Sequence, residues 1–386
     1  MTAPRGDGSS KLRILHVTNG SDAGGLSRYI YDLCLAMHEQ GHEVAVAGQR
    51  GAWHWLFEKA PFSWIDIPSK GGPLSLLKSA SVLREYVSRR PVDVLHTHYR
   101  RGTLISRRLQ KKLRSTMTLP ILYTLHLSHI AIGWPQRVFS DFGDETHVAS
   151  AQARDWLMQA AGVKPEAIAL IPHGVDPSRF PIVDDAARGT ARAALGLLAE
   201  DRVGVFVGRL DYPKNVDWIL DVAAASKAEI PQLRLLLAGE GPQEASLRAA
   251  IQSRGLGERV QLLGHRDPLP VYQAADALLL PSLREGFSLV TAEAMCAGIP
   301  VLRTRTSGTA ETIIENVTGR STPIERQAFI AGAIEFLSDR AALQKMGRAA
   351  AVHVRERLTF PRQLTQTLDL YHRMIAEPQP GPPGRR

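Results

Sequence analysis

Two doubly wound α/β domains are predicted by three features of the 386-residue sequence. Short apolar runs, typical of buried parallel strands, alternate along the chain with segments of helical apolar spacing. This alternation starts twice, on either side of a Pro- and Gly-containing segment at residues 171–198. The chain is also long enough for two cores. We therefore expect two parallel sheets that face each other across a central cleft, with ligands bound at the carboxyl ends of the strands.

The N-terminal domain is predicted to span residues 11–178. It begins with a strand, a polar loop that contains Gly24 and Gly25, and a helix that ends before Gly41. The recurring order of strand, loop, helix and strand favours a parallel sheet. The predicted elements of this half are strands at 12–17, 43–47, 92–95 and 121–125 and a helix at 26–37.

The C-terminal domain is predicted to span residues 198–360. A last helix at 361–376 could belong to either half, and we expect it to pack back on the N-terminal domain. Residues 1–10 and the Pro- and Gly-rich residues 377–386 are predicted to be disordered tails. The predicted elements of this half are strands at 203–207, 233–238, 260–262, 277–280 and 301–303 and helices at 216–225 and 243–253.

The amino-acid composition limits the classes to which the protein can belong. The chain is 44% hydrophobic and 22% charged, as in a soluble globular protein, and no apolar run approaches a membrane span. No apolar leader opens the sequence, so we expect a cytoplasmic protein. Cys34 and Cys296 lie in helical patterns and indicate neither a disulfide framework nor a metal site. The net charge of +9 favours an anionic partner, although no nucleic-acid partner is predicted.

The segment at 281–300 predicts an anion site. It follows an apolar strand, and Ser288 is expected to cap a helix that stops at Gly298. Amides in the first turn of such a helix bind anions. Glu285 and Glu293 flank this turn with seven residues between them. A carboxylate tolerates a neighbouring phosphate best when it faces neutral donors such as sugar hydroxyls, so the pattern indicates a nucleotide sugar. The alternative for Glu293 is an ordinary residue of the first helical turn, favoured by the helix dipole.

The segment with these two glutamates resembles the E-x7-E signature of retaining glycosyltransferases of family 4. That family has the GT-B fold, in which two Rossmann-like domains face a central cleft. The resemblance covers nearly the whole chain, and its strength lies in the order and spacing of several motifs. Besides the signature, the motifs are IPHGVDPSRF at 171–180, VGRLDYPKN at 207–215, AGEGP at 238–242 and LLGHRDPLPVYQAADALLLPS at 262–282.

The resemblance assigns roles to the residues around the signature. It places Glu293 on the donor ribose and Glu285 on the transferred sugar, where an ionised carboxylate accepts from hydroxyls. Arg209 and Lys214 are placed on the distal phosphate, where cations stabilise the charge of the leaving diphosphate. The alternative for these two is that they are solvated surface cations. The backbone that holds sugar and diphosphate is expected to be that of Gly286, Phe287, Ser288, Leu289 and Val290.

Further site residues are expected in both halves, and the resemblance supplies Gly24, Gly25 and His126. Gly24 and Gly25 correspond to a glycine loop near the acceptor and the diphosphate, although such a pair is often only a turn. Gly264, His265 and Arg266 are expected near the donor base, and His126 beside the donor sugar. His96 and His98 are expected to be polar loop histidines on the acceptor side, without a metal. His173, in the crossover segment, is expected to be structural.

Residues 100–114 form a basic stretch without an acid. Three apolar residues give it a partly apolar face, so a basic amphipathic helix is predicted. This helix either docks on anionic lipid headgroups or is a solvated helix face. Its basic residues are Arg100, Arg101, Arg107, Arg108, Lys111, Lys112 and Arg114.

The resemblance therefore implies a retaining, metal-independent glycosyltransferase that needs no cofactor. It would move a hexose from a nucleotide-diphosphate sugar to a hydroxyl of a saccharide or lipid-linked acceptor, in cell-surface polysaccharide or glycolipid synthesis. We expect it in the cytoplasm, either free or peripheral on the inner membrane face. The alternatives are a GT-B sugar-nucleotide epimerase and a non-catalytic carbohydrate- or lipid-binding protein of that fold.

Overall fold

The computed structural model describes residues 11–22, 24–113, 119–126 and 140–377. The expected tails at 1–10 and 378–386 lie outside these residues, as does Arg114. The chain divides into two compact units, one formed by Met1–Ile171 with Leu364–Arg386 and the other by Pro172–Gln363. No helix in the described ranges is long and apolar enough to cross a membrane.

The N-terminal unit contains a parallel sheet of seven strands in the order β3-β2-β1-β4-β5-β6-β7. The strand order reverses direction between β1 and β4, and ligands of doubly wound sheets bind at such a point. Its strands are β1 Arg13–Gly20, β2 Glu43–Gln49, β3 Ser63–Asp66, β4 Val94–Thr97, β5 Ile121–Leu125, β6 Glu145–Val148 and β7 Ile168–Leu170. Its first helices are α1 Gly25–Glu39, α2 His54–Glu58, α3 Pro73–Arg89, α4 Arg100–Leu113 and α5 Ala151–Trp156, followed by a π-helical turn Leu157–Ala161 and a 3-10 turn Pro165–Ala167.

The C-terminal unit contains a parallel sheet of six strands in the order β10-β9-β8-β11-β12-β13. Its order reverses between β8 and β11. Its strands are β8 Arg202–Val207, β9 Leu233–Ala238, β10 Val260–Gly264, β11 Ala277–Leu280, β12 Val301–Thr304 and β13 Gly319–Thr322. The helices that follow α5 in the chain are α6 Asp185–Ala194, α7 Asp217–Ala225, α8 Glu244–Ser253, α9 Pro268–Ala274, α10 Leu289–Cys296, α11 Thr309–Thr312, α12 Arg326–Ser338, α13 Arg340–Arg357 and α14 Phe360–Ala376, with a 3-10 turn Tyr212–Lys214 before α7.

The predicted α/β fold class is confirmed, and three strands, β5, β9 and β11, have the predicted bounds. The sequence analysis missed β3, β6, β7 and β13. The β6 strand is Glu-Thr-His-Val, too polar to be recognised as a buried strand, yet all four residues are buried. Each polar side chain of β6 has a partner, such as Arg373 for Glu145 and the Phe142 carbonyl for Thr146. A buried polar strand is tolerated only when its groups are bonded in this way.

The last helix, α14, completes the core of the N-terminal unit. Tyr371 and Met374 are buried in one apolar cluster with Ile14, Ile30 and other residues of β1 and α1. Arg373 on the same helix donates two hydrogen bonds, of 2.8 and 2.7 Å, to the buried Glu145 carboxylate. Helix α14 is therefore held to this sheet by apolar packing and by a bidentate ion pair.

Two basic residues of the stretch predicted as a basic amphipathic helix are bonded within the fold in helix α4. Arg107 is buried, and its guanidinium binds Asp141 at 2.8 Å and Asp144 at 2.5 Å. Arg101 donates to the carbonyls of Ser69 and Gly72. The acidic partners of Arg107 thus lie outside the basic stretch and are brought to it by the fold. Arg108, Lys111 and Lys112 are exposed and form the remaining basic surface of α4.

Replacing Arg107 by Ser should destabilise the N-terminal unit. Asp141 and Asp144 would lose their cation in a largely buried site, which costs about 3 kcal/mol in comparable buried pairs. Denaturant unfolding measures the change. Arg108→Ser, one position along the same helix, removes an exposed charge and should change the unfolding free energy by less than about 0.5 kcal/mol. Equal effects of the two substitutions would show that the Arg107 ion pairs do not stabilise the unit.

Candidate functional site

Two loops meet in the C-terminal unit where the strand order reverses. One follows β8 and leads to Lys214, and the other follows β11 and leads to Ser288. The Asn215 side chain donates to the Pro281 carbonyl at 3.1 Å, and the Leu283 amide donates to the Pro213 carbonyl at 2.7 Å. These bonds hold the loops side by side, so that residues distant in sequence share one site.

Lys214 and Glu285 are in direct contact across these loops. Lys214 Nζ lies 2.8 Å from Glu285 Oε1, and the Ser282 hydroxyl donates to the same oxygen at 2.6 Å. The Glu285 side chain is 8% exposed and that of Lys214 is 22% exposed. The site therefore holds an ordered carboxylate beside a cation that stays partly open to solvent.

Arg209 extends into solvent at the start of the β8 loop. Its side chain is 67% exposed, and its Nε lies 3.0 Å from Asp211 Oδ2. Gly208, directly before it, has a φ of 152°, a conformation that glycine adopts most easily. Among the described residues the guanidinium has one ion pair, which is exposed and weak and leaves it available to an anion.

Arg303 is a fully buried cation behind the loop that carries Glu285. Its Nη2 donates to Thr306 Oγ1 at 2.7 Å and to the Ser307 carbonyl at 3.1 Å, and its Nη1 lies 3.5 Å from the Phe287 carbonyl. Burial lowers the pKa of Arg303 to about 10, and the charge of Glu285 opposes that shift. The group therefore stays charged at neutral pH and ties the loop to β12.

Ser288 precedes α10 but does not cap it with its side chain, which corrects the prediction. Its φ is 71° and its ψ is 79°, a left-handed conformation that is costly for serine. Its hydroxyl bonds to Thr291 Oγ1 at 2.9 Å. Gly308 makes this turn possible, because a Cβ at residue 308 would collide with the Phe287 backbone. The amides of Leu289 and Val290 open the helix beyond the strained residue.

Glu293, one turn into α10, is positioned by Tyr272. The Tyr272 hydroxyl donates to Glu293 Oε2 at 3.0 Å and lies 3.4 Å from the Val290 carbonyl. Burial, and then the charge of Glu293, raise the pKa of Tyr272 well above its usual value. The phenol therefore keeps its proton and holds the half-buried carboxylate in place.

The outer part of the same sheet edge carries Gly264 and Arg266. The Gly239 amide donates to the Gly264 carbonyl at 2.9 Å, which joins the loops after β9 and β10. Arg266 is exposed, and its guanidinium bonds to the Leu263 carbonyl at 3.0 Å. His173 contacts the Phe287 ring with centroids 5.4 Å apart, so this residue of the crossover lies against the site loop.

In the N-terminal unit, Gly24 and Gly25 lie between β1 and α1. Gly24 is the residue before the helix and has a φ of 143°. A Cβ at either glycine would meet no atom within 4 Å among the described residues. The pair therefore leaves open space in front of the α1 N-terminus, and only Gly24 requires glycine for its backbone.

Five histidines lie together at the carboxyl ends of four adjacent strands. His16 of β1 pairs in register with His96 of β4, and Thr124 of β5 pairs with His147 of β6. His96 lies in β4 and not in a loop, whereas His98 lies in the loop after β4 as predicted, and both side chains are buried. His126 follows β5 and is half-buried. Register in a parallel sheet explains the cluster, because corresponding positions of neighbouring strands lie side by side.

The five rings form two hydrogen-bond chains. In the first, His16 Nδ1 lies 3.0 Å from His98 Nε2, and His98 Nδ1 lies 3.2 Å from His126 Nε2. In the second, His96 lies 2.5 Å from the Tyr371 hydroxyl and 2.6 Å from Thr124 Oγ1, which in turn contacts His147 at 3.0 Å. His16, His96 and His98 are close enough to share a metal, but both ring nitrogens of His96 already have partners.

Burial keeps these histidines neutral. It lowers the pKa of His16 and of His126 to about 3 and that of His147 to about 4. It also holds the pKa values of His96 and His98 well below the usual value, with a smaller contribution from neighbouring histidines.

Two family profiles match the chain, one described as Glycosyltransferase Family 4 over residues 23–179 and one as Glycosyl transferases group 1 over residues 188–353. The chain belongs to glycosyltransferase family 4. Similar to it is the D-inositol 3-phosphate glycosyltransferase of Jonesia denitrificans, with 26% identity over 397 residues that cover 91% of this chain and 92% of the relative.

Solved structures show that this family 4 chain has the GT-B fold. A glycosyltransferase from Rickettsia africae matches with a TM-score of 0.83 at 18% identity, covering 95% of this chain and 100% of the other. HepE of Anabaena, solved in complex with UDP, matches with a TM-score of 0.82 at 20% identity, covering 94% and 100%.

Sequence reasoning missed four residues that shape the sites of this family 4 protein. Arg303 and His16 carried a signal, since each is a polar residue inside an apolar strand, which is costly unless the group is bonded. Ser282 and Tyr272 carried none, because their partners Glu285 and Glu293 are identified only by the three-dimensional contacts.

Acidification should destabilise the N-terminal unit of this glycosyltransferase. Below about pH 6.5 the unfolded histidines bind protons that the folded ones, with pKa values lowered to about 3 or 4, do not. Stability is therefore lost as the pH falls from 6.5 towards 4, by up to about 1.4 kcal/mol per pH unit for each such histidine.

Unfolding between pH 7 and pH 5 measures this slope. His16→Asn removes one buried titrating group and should reduce it by up to about 1.4 kcal/mol per pH unit. His265→Asn, at an exposed position, should leave it unchanged. If the unfolding free energy of His16→Asn depends on pH as steeply as that of wild type, the pKa of His16 is not lowered in the folded protein.

Proposed function

We propose that this protein is a retaining glycosyltransferase that moves a hexose from a nucleoside diphosphate sugar to an acceptor hydroxyl. The observation that carries the proposal is the contact of Lys214 with Glu285, held between two loops at the reversal of strand order. A cation and a carboxylate in one anion-binding turn suit a ligand that has both phosphate and hydroxyl groups. Sugar nucleotides have this chemistry.

The leaving diphosphate requires positive charge. Lys214 is partly exposed and Arg209 is largely exposed, so both can reach an anion while the loops stay in place. The amides of Leu289 and Val290 at the α10 N-terminus add donors aligned with the helix dipole. These groups stabilise the diphosphate most as its negative charge develops, which is the condition for catalysis.

The two glutamates bind different parts of the donor in this proposal. Glu285, ordered by Ser282 and Lys214, accepts from hydroxyls of the transferred sugar. Glu293, held by Tyr272, accepts from the ribose hydroxyls. His126 lies beside the sugar, and Gly264 and Arg266 lie near the base. We propose UDP as the nucleotide, because HepE of the same fold was solved in complex with UDP.

The acceptor hydroxyl attacks from the face that the diphosphate leaves. Its proton passes to the departing phosphate oxygen, so no protein base is needed, and the anomeric configuration is retained. Arg209 and Lys214 supply the charge that a metal would otherwise provide, and we therefore propose a metal-independent reaction without a cofactor. The His96 and His98 side chains are too buried to bind an acceptor directly.

A panel of nucleotide sugars tests the proposal. The purified chain is incubated with UDP-, GDP- and ADP-hexoses, with and without acceptor extracts and inositol phosphates, and nucleoside diphosphate release is followed. We expect release from a UDP-sugar that rises when acceptor is present. Nucleoside diphosphate release that does not depend on acceptor, together with an epimerised sugar as product, would indicate the epimerase alternative. Binding of a nucleotide sugar without turnover under any condition would indicate a non-catalytic protein.

Arg209→Ala and Lys214→Ala should each lower turnover by two orders of magnitude or more, which is about 3 kcal/mol of lost charge stabilisation. Folding should be retained, since neither side chain is fully buried. Steady-state kinetics with the active donor measures the effect. Arg284→Ala removes an exposed cation of the β11 loop and should stay within a few-fold of wild type. Near-normal turnover of both variants would refute the diphosphate assignment.

Substitutions at the two glutamates should change different kinetic constants. Glu293→Ala removes a contact to ribose that is equal in ground and transition states, so it should mainly raise the donor KM. Tyr272→Phe should raise it in the same direction but by less, because the carboxylate remains and only its positioning is lost. Glu285→Ala removes a contact to the reacting sugar, so it should mainly lower kcat. If Glu285→Ala raises only the donor KM, with kcat intact, our division of roles is wrong.

We also propose that a lipid-linked acceptor is reached from an anionic membrane surface. Arg108, Lys111 and Lys112 are exposed on the C-terminal half of α4. Clustered basic residues of this kind are attracted to the anionic headgroups of a membrane surface. Such a protein would be peripheral, with its catalytic residues unaffected by docking.

Replacing Arg108, Lys111 and Lys112 by Ser should weaken binding to vesicles that contain anionic lipid, by about 1 kcal/mol per residue, while donor hydrolysis is spared. Vesicle sedimentation measures the binding, which should also fade as salt rises. The control is a triple variant that removes the same charge from exposed positions of α13, by replacing Lys345, Arg348 and Arg357 with Ser. Equal sedimentation of the two triple variants would leave α4 as a solvated face.

A further inference from the structure

We propose that His98 is a positioning residue that fixes the tautomer of His126, so that Nδ1 of His126 carries the hydrogen. The consequence for catalysis rests on the proposed function, since it concerns the ring placed beside the donor sugar. The tautomer itself is a property of the protein alone and follows from the hydrogen-bond chains among the five histidines.

The geometry of the first chain is that of rings joined edge to edge. The His16 and His98 planes differ by 9°, with centroids 5.3 Å apart and a nitrogen-to-nitrogen distance of 3.0 Å. His98 and His126 repeat the arrangement, with planes 28° apart, centroids at 5.5 Å and nitrogens at 3.2 Å. Parallel rings at these centroid distances lie in line through the shared hydrogen and do not overlap face to face.

A neutral imidazole has one donor nitrogen and one acceptor nitrogen, so the chain can run in only two directions. Its far end is His16 Nε2, which is buried and has no hydrogen-bond partner among the described residues. If the hydrogens ran from His126 towards His16, that nitrogen would be a buried donor without an acceptor. Unpaired buried N–H groups are rarer in proteins than unpaired acceptors.

The opposite direction avoids this cost. His16 Nδ1–H then donates to His98 Nε2, and His98 Nδ1–H donates to His126 Nε2. Only a lone pair at His16 Nε2 remains unpaired. His126 Nε2 is occupied as an acceptor, so the hydrogen of this neutral ring is on Nδ1.

The second chain runs with the other tautomer, and its direction is fixed by a carbonyl. His147 Nε2 lies 2.7 Å from the Ile171 carbonyl, which can only accept, so His147 carries its hydrogen on Nε2. Its Nδ1 therefore accepts from the Thr124 hydroxyl, whose oxygen accepts from His96 Nε2–H. His96 Nδ1 then accepts from the Tyr371 hydroxyl. The cluster should thus contain three Nδ1–H and two Nε2–H rings.

For the transfer reaction, this makes His126 a hydrogen-bond donor through Nδ1 and not a base. A donor of this kind can bind a hydroxyl oxygen of the transferred sugar. It cannot take the proton of the acceptor, because Nδ1 already carries a hydrogen and Nε2 accepts from His98. The role agrees with a reaction in which the leaving phosphate receives that proton.

Nitrogen-15 NMR of the histidine-labelled full chain at pH 7.5, without ligand, tests the inference, because protonated and unprotonated ring nitrogens have well-separated shifts. His126 is assigned by loss of its signals in His126→Asn. We expect Nδ1–H in about nine-tenths or more of the molecules, a tenfold preference that corresponds to about 1.4 kcal/mol. His96 and His147, fixed as Nε2–H, serve as internal references. A mainly Nε2–H His126 would overturn the proposal.

A matched pair of variants separates positioning from packing. His98→Phe removes the hydrogen-bond donor to His126 Nε2, so His126 should shift towards a mixture of both tautomers. Thr124→Val breaks the second chain and should leave His126 as in wild type. An unchanged His126 in a folded His98→Phe protein would also overturn the proposal. Should His98→Phe fail to fold, the wild-type spectrum still decides. None of these spectra depends on glycosyl transfer, so a failed transfer assay and a failed tautomer prediction are distinguishable.

Discussion

Much of the candidate donor site depends on the buried guanidinium of Arg303. A cation without exposure to solvent needs partners inside the protein, because an unpaired buried charge is costly. The two terminal nitrogens of Arg303 bind backbone and hydroxyl oxygens at Phe287, Thr306 and Ser307, while its Nε has no hydrogen-bond partner among the described residues. Those bonds hold the loop between β11 and α10, whose other contacts bring Glu285 to Lys214. The loop is therefore held in place by the charged side chain of a residue inside the sheet.

The strain in this loop has a physical cause in the same arrangement. Ser288 is held in a left-handed conformation, while the close approach of Gly308 fixes the Phe287 backbone. A strained residue persists only where its surroundings over-determine it. Here the strain directs the chain from the strand into the α10 N-terminus within a few residues. The amides of Leu289 and Val290 are thereby placed at the reversal of strand order.

The N-terminal unit solves a different problem, the burial of many polar rings in one place. The five clustered histidines stay neutral and bond mainly to one another, to Thr124, to Tyr371 and to one carbonyl. Each ring can donate one hydrogen and accept one, so the rings are suited to form chains inside a sheet. Tyr371 belongs to the last helix of the chain, so the N-terminal sheet is completed by a segment that is distant in sequence.

The sequence by itself determined the α/β class, the restart of the pattern and the family, because apolar periodicity and motif order are local properties. It also identified the segments around Glu285, Glu293, Arg209 and Lys214. It failed at β6, at the burial of His96 and His98, and at Arg107, because these polar groups look solvated until their partners are known. Arg303, Ser282, Tyr272 and His16 depend on the same kind of information. Only the tertiary structure decided them, since a polar group is stable in a core only through partners that the fold brings from elsewhere in the chain.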